Sequence, residues 1–421
     1  MAMTTSRPAF GSTSAGLDRA AVTVLAITLV FWVADGYDTF VLLITARPTL
    51  TELLTPAQLP HLPAYQGYLV AITLAGWASG GIVGGVVGDR LGRRRTMLAA
   101  VAVYSVCTAC SALADNWWVF GITRFLTGVG IGAEWGVGTS LLQEVWPQRW
   151  RTRGAGLLQS GFSLGGVLVS GLWVLLGSTY GLSWRWMYLF GLIPLVIAVL
   201  VRRHIPESRR WAATTGRRVP VSELLSPAVR RNFLGALVVS IAITCGWWAV
   251  SSFLPSFVGS LVDDTRRVAF FTGWAGALYN LGEIGGCIAL GFLAERWGRK
   301  PTIQAYFVGC LVIVPVVFLS VHSATAVTWL QLVAGFLTGG TYSWYTVHTP
   351  ELFATSLRAT AISVVFSGSR YLAMIGAVLA GTLASAVGGF GTAAAIFTPI
   401  YLLGMLAVLW LPETKGQPLP D

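Results

Sequence analysis

Runs of predominantly apolar residues, each long enough to cross a bilayer as a helix, recur along this chain and constrain its fold more than any other feature. A crossing needs roughly 20 such residues. The runs fall at about 20–45, 65–88, 97–114, 118–143, 154–177, 184–201, 233–259, 268–294, 301–321, 325–349, 359–386 and 391–411. Between them there is too little charge for a water-facing surface: 11% of residues are charged, against roughly 25% in soluble proteins. An all-α membrane protein with 12 transmembrane helices is expected. The first 19 residues are polar, and the run that follows is too long for the core of a signal peptide, so the first span is expected to remain in the protein.

The formal charge of +11 raises the question of nucleic acid. The basic residues, however, sit in short clusters between the apolar runs and form no face interleaved with aromatics, so no nucleic-acid partner is expected. Assigning the loops alternately puts 22 of the 28 Lys and Arg on the side that holds both termini, with only Arg47, Arg185, Arg266 and Arg267 opposite. The positive-inside rule then places both termini in the cytoplasm and the protein in the inner membrane. Cys107 and Cys110 form a C-x-x-C with no second pair and no nearby histidine, and all five cysteines lie in apolar runs, so no metal site is expected.

The chain is also a duplication. GDRLGRRR (88–95) follows the second span and AERWGRKP (294–301) the eighth, with Asp89 and Glu295 206 positions apart. Glu144 precedes Arg151 by seven residues after the fourth span, as Glu351 precedes Arg358 after the tenth. The expected organisation is a tail (1–19), a six-helix bundle (20–201), a polar linker (202–232), a second six-helix bundle (233–411) and a tail (412–421). Parallel repeats of this kind build proteins in which one half rocks against the other around a central site.

These residues resemble a known family. GDRLGRRR and its copy AERWGRKP are similar to the loop signature of the major facilitator superfamily, and PESRRW (206–211) and PETKG (412–416) to sequences that follow helices 6 and 12 in its sugar and organic-acid porters. DGYD (35–38), RFLTGVGIG (124–132) and GSRYLAMIGAVLAG (368–381) resemble the aromatic-acid:proton symporters, while GAEWG (132–136) with EVWPQRWRTRG (144–154) resembles the sialate and related carboxylate symporters. The resemblance implies the major facilitator fold and charge networks that hold one state of the cycle. The residues for that gating role are Asp89, Arg90, Arg93, Glu144 and Arg151 in the first half, with Glu295, Arg296, Arg299, Glu351 and Arg358 in the second. Pairs made across the halves in one state and broken in the other would bias the equilibrium.

Six ionisable residues lie within spans: Asp35, Asp38, Arg124, Glu134, Glu283 and Arg370. Facing lipid they would cost on the order of 15–20 kcal/mol, so they must face a cavity or one another. Burial penalises the charged form of a carboxylate, which makes a proton a ready neutraliser for the excess of acids. Asp35 and Asp38 share a helix face, three residues apart. With Glu134 and Glu283 they are the proton-coupling candidates. Arginine presents a planar fork suited to carboxylate. Arg370, 12 residues into its span from Arg358, sits about 18 Å deep, near the midplane. It and Arg124 are the candidates for binding a substrate anion. Tyr37, Trp248, Tyr279 and Trp344 are the candidate ring contacts, whereas Trp117, Trp118, Trp146, Trp150, Trp184 and Trp297 read as interfacial anchors and His348 as a surface residue. The glycines at 76, 80, 84 and 88 form a close-packing stripe.

Together these readings give a proton-coupled symporter, not an enzyme, that takes up a small organic anion. The expected substrate is an aromatic or other carboxylate, with the proton as coupling ion and no other cofactor. The partners are the anion and the lipid bilayer, and the chain is expected to be a monomer. A sugar or other metabolite porter, a drug or cation exporter of the same fold, and a membrane solute sensor are the alternatives left open.

Overall fold

A computed structural model describes residues 19–145, 151–205, 207, 221–262, 264–386, 390–417 and 420. Helices α1 (Arg19–Leu53), α2 (Leu62–Leu91), α3 (Arg93–Ser111) and α4 (Trp117–Val145) come first. They are followed by α5 (Arg151–Trp173, ending in a π turn at Val174–Thr179) and α6 (Arg185–Val201). The second half holds α7 (Arg230–Ser260), α8 (Thr265–Trp297), α9 (Arg299–Ser320), α10, α11 (Thr355–Ala386) and α12 (Gly391–Trp410). The twelve apolar runs thus become twelve helices, several of them extended by a turn because their polar ends can continue in water. Eight of the described helices are long and apolar enough on their own to cross a membrane. The others include α6, which has 17 or fewer apolar helical residues, and α10, which is broken.

Helix α10 departs from the single span expected over 325–349. It runs as an α-helix over Ala324–Ala334, opens into a π turn at Gly335–Gly339 and tightens to a 3-10 turn at Gly340–Tyr342. It then resumes as α over Ser343–Val347 and ends in a 3-10 turn at Thr349–Leu352. Changes of pitch of this kind mark strained or functional stretches of helix.

The surface explains the composition. Ile82, Leu168, Leu200, Val312 and Leu406 are all half or more exposed, an arrangement water would penalise and lipid does not. Trp118, Trp186, Trp297, Trp329 and Trp410 are likewise exposed near helix ends, as interfacial anchors are. Trp117 and Trp184 differ from their expected anchoring role: both are buried. The Trp184 indole N–H donates to Glu52 Oε2 at 2.7 Å, and a polar tip with a fixed partner can leave the interface and join the core; Trp117 packs edge-on against Tyr65 at 5.2 Å. Trp146 and Trp150 lie outside the described residues.

The two six-helix bundles repeat one packing plan. In the first, α1 packs on α5 and α2 on α4; in the second, α7 packs on α11 and α8 on α10. The glycine stripe explains how close α2 and α4 come, since a Cβ at Gly80 would overlap the Val129 carbonyl. In α8, a Cβ at Gly286 would overlap the Phe336 carbonyl in the same way. The bundles meet along α2–α11 and α5–α8, a symmetry-related pair of seams. The turns that enter α3 and α9 also match: Gly92 and Gly298 have φ of 95° and 109°, backbone that a side chain would strain.

Candidate functional site

A narrow cavity lies between the two bundles. The first bundle contributes Trp32 (α1), Trp77 (α2), Gln159 and Phe162 (α5). The second contributes Trp247 and Trp248 (α7), Glu283 (α8), Tyr342 (α10), and Phe366 and Arg370 (α11). Ligand sites are commonly apolar clefts with a few placed polar groups; this one has that lining, and the space left free between its side chains is about 10 Å³, room for about one water, so the bundles must part to admit a ligand. Its rings pack against each other, with Trp77 edge-on to Trp248 at 6.5 Å and Trp247 edge-on to Tyr342 at 5.4 Å.

Arg370 is 1% exposed. Its guanidinium carbon lies 3.5 Å from the Phe366 ring centroid and 4.4 Å from that of Trp77. One Nη1–H donates to the Phe366 carbonyl at 2.8 Å, and Nε has no acceptor. Among the described residues no carboxylate pairs with it. Two cation–π contacts supply on the order of 1–4 kcal/mol, short of the several kcal/mol that a buried ion costs. An anion in the cavity would satisfy the remaining donors of the fork.

Arg124 is placed differently. It lies outside the cavity, where its Nη1 pairs with Asp38 Oδ2 at 3.4 Å. Nε and Nη2 donate to Ser111 Oγ at 3.1 and 2.8 Å, and Nη2 also to Thr127 Oγ1 at 3.0 Å. Thr108 donates a short hydrogen bond to Asp38 Oδ1. This cation already has its counter-ion. Three residues away, the Asp35 carboxyl faces that of Glu134 (α4) and the Tyr104 hydroxyl (α3), and neither Asp35 oxygen accepts from a fixed donor. The four acids thus sort into an arginine-paired Asp38, a facing Asp35–Glu134 pair and a cavity-lining Glu283.

Of the ring candidates, Trp248 lines the cavity and the other three lie outside it. The Tyr37 hydroxyl donates to the Met187 carbonyl at 2.8 Å, and that of Tyr279 meets Thr338 Oγ1 at 2.8 Å. Trp344 Nε1 donates to Nδ1 of His348 at 3.1 Å. His348, expected at the surface, is fully buried, and its Nε2 lies 3.1 Å from the Pro412 carbonyl. Its ring ties α10 to the segment after α12.

At the end of the molecule with the α2–α3 and α8–α9 turns, Arg299 and Glu351 form a bidentate pair, with Nε–Oε2 at 2.9 Å and Nη2–Oε1 at 2.7 Å. Thr414 adds a short hydrogen bond to Glu351. This pair joins α9 to the end of α10 within one bundle, rather than crossing between bundles. Arg90, Glu295 and Arg296 are exposed, while the side chains of Asp89, Glu144, Arg151 and Arg358 lie outside the described residues. The backbone N–H groups of Arg93 and Arg94 donate to Glu207 Oε1 at 2.9 and 3.4 Å. Those of Arg299 and Lys300 donate to Glu413 at 2.9 and 3.0 Å. Each carboxylate thus satisfies the unpaired N–H groups that begin a helix, where the dipole also favours it.

Residues 13–346 and 267–421 match the family pattern of the Major Facilitator Superfamily. The chain belongs to that superfamily. It is therefore a multi-pass membrane transporter and not an enzyme. It is 28% identical over 91% of its length to the "Probable 4-methylmuconolactone transporter" of Cupriavidus pinatubonensis, 89% of which is covered. It is 28% identical over 84% of its length to the cis,cis-muconate transport protein of Acinetobacter baylyi, of which 86% is covered. The sialic acid transporter NanX of Escherichia coli is 25% identical over 78% of this chain and 80% of its own. Among solved structures, the proton:xylose symporter XylE of E. coli superposes with a TM-score of 0.74 at 20% identity, over 96% of this chain and 98% of that one, which shows the fold.

Within this superfamily fold, several cavity residues carried no signal in the sequence: Trp32, Trp77, Gln159, Phe162 and Phe366 are neutral residues in apolar runs. Glu207 and Glu413 did carry one, because each follows a proline after the last helix of its half and they are 206 positions apart, the spacing of the loop signatures.

Proposed function

We propose that this transporter takes up a small organic anion, a ring-bearing or other unsaturated carboxylate, together with protons. The observation that carries the reading is Arg370: a buried guanidinium in the cavity between the bundles, flanked by aromatic rings and with no carboxylate paired to it among the described residues. The names of relatives that span most of the chain, for muconolactone, muconate and sialic acid, support the same class.

For the proton, the facing carboxyls of Asp35 and Glu134 are the favoured site, because two carboxylates in contact are held together by one shared proton. Trp135, next to Glu134 in the chain, stacks on Phe366 at 3.7 Å and 16°, and Phe366 carries the Arg370 guanidinium. The acid pair and the anion site are thus linked through the α4 backbone at 134–135 and the Trp135–Phe366 stack. Each proton entering gains about 2.3 kcal/mol per 100 mV of membrane potential, enough to offset an anion's electrical cost.

The test is uptake of labelled muconate, benzoate and sialic acid into proteoliposomes, with and without an inward proton gradient. Gradient-driven uptake of a carboxylate that falls at least 100-fold in Arg370→Ala is expected. Transport of a sugar or an organic cation with no carboxylate flux would overturn the proposal.

A further inference from the structure

Arg370 is not the only charged group in the cavity. Glu283, 1% exposed, lines the same space from α8. Among the described residues it forms no ion pair, so a carboxyl and a guanidinium share one cavity without meeting. Trp247 Nε1 donates a long hydrogen bond to its Oε2 at 3.4 Å, and the Ser163 hydroxyl also lies against the carboxyl. The stem of Glu283 is held in place by the pitch change in α10, since a Cβ at Gly339, the last residue of the π turn, would overlap its Cγ. That turn thus ends in a residue whose missing side chain leaves the room the Glu283 stem occupies. The packed rings of Trp247 and Tyr342 line the same cavity.

We infer that Glu283 is a specificity residue that reads a hydrogen-bond donor on the substrate at a point away from its carboxylate. A ligand that meets both groups must be amphoteric in hydrogen bonding: an anionic group for the Arg370 fork, a flat body for the indoles, and an N–H or O–H for Glu283. A ring acid whose far side is purely apolar would leave the Glu283 carboxyl desolvated and unpaired, and sites built to bond a donor reject analogues that lack it. This inference rests on the organic-anion reading above and adds the second point of recognition.

The test uses two ring acids of nearly equal shape, 4-aminobenzoate and 4-methylbenzoate. Their binding to the purified full chain is followed by quenching of the cavity indoles' fluorescence. The wild type is expected to prefer the amino compound by about 10- to 100-fold, the range of a hydrogen bond to a charged acceptor. In Glu283→Ala the preference falls to below 3-fold. In Glu283→Gln, which keeps an acceptor oxygen in place, an intermediate preference remains. Equal binding of the two acids by the wild type, or a wild-type preference retained in both Glu283 variants, would overturn the inference. Arg370→Ala separates the two levels: it should weaken both acids alike, and if it binds both as the wild type does, the anion reading itself fails.

Discussion

The buried amide of Gln66 offers a direct measure of how firmly this transporter is shut at the end that holds the α1–α2 turn. Gln66 (α2) is 1% exposed and bonds across the bundles to α7. Its Nε2 donates to the Ser252 carbonyl at 2.7 Å, and its Oε1 accepts from Ser256 Oγ at 2.9 Å. A transporter must open each end in turn, and opening this end breaks both bonds. Gln66→Leu keeps the volume and removes them. At about 1 kcal/mol each, the closed form loses about 2 kcal/mol, which moves the closed-to-open ratio about 30-fold. Ser256→Ala removes one bond and should shift the ratio about 5-fold. The assay is the distance distribution between spin labels at Leu59 and Ser260, two positions on that end, with the native cysteines replaced by alanine. A Gln66→Leu distribution that overlays the wild type would refute the reasoning, because the clasp would then contribute nothing to closure.

Two further predictions rest on packing and on charge. Gly80→Ala should destabilise the protein by about 1–3 kcal/mol or more through overpacking against the Val129 carbonyl, whereas Gly85→Ala, with nothing within 4 Å of the added carbon, should stabilise it by up to about 1 kcal/mol; melting temperatures in detergent should therefore move in opposite directions. Partial burial works to raise the Glu413 carboxyl, but the N–H groups of Arg299, Lys300 and Lys415 overcome it and hold Glu413 below its ordinary value of 4.5. The docking of residues 412–417 is then fully present above about pH 4.5 and is lost as pH falls through the lowered value. Hydrogen exchange of that segment across pH 6 to pH 3 should show protection disappearing in the wild type and weak at every pH in Glu413→Gln.

Twelve helices and their pairing into halves were legible because lipid forces long apolar runs and duplication leaves a fixed offset, as in Asp89 and Glu295. The buried charges were legible as a set, since no charged residue rests cheaply in a membrane. Their partners were not. Whether Arg124 meets Asp38 or a ligand depends on how α1 and α4 are rotated against each other, which is set by the packing of α1 on α5 and of α4 on α2 and α3 and not by either residue. The break in α10 was hidden for a related reason: Gly335, Gly339 and Gly340 read as ordinary small packing residues until α8 is set beside them. The cavity wall was least legible of all, because an indole that faces a ligand and one that faces a neighbouring helix are the same letter in an apolar run.

The paired caps formed by Glu207 and Glu413 also bear on how such a chain is made. The first bundle fastens the start of its third helix with an acid that lies just beyond its sixth, so its closing contact is available as soon as residue 207 has been synthesised. Nothing from the second bundle is required for it. Synthesis can therefore complete one self-tied half while the ribosome is still translating the linker, and the second half repeats the operation with its own acid near the end of the chain.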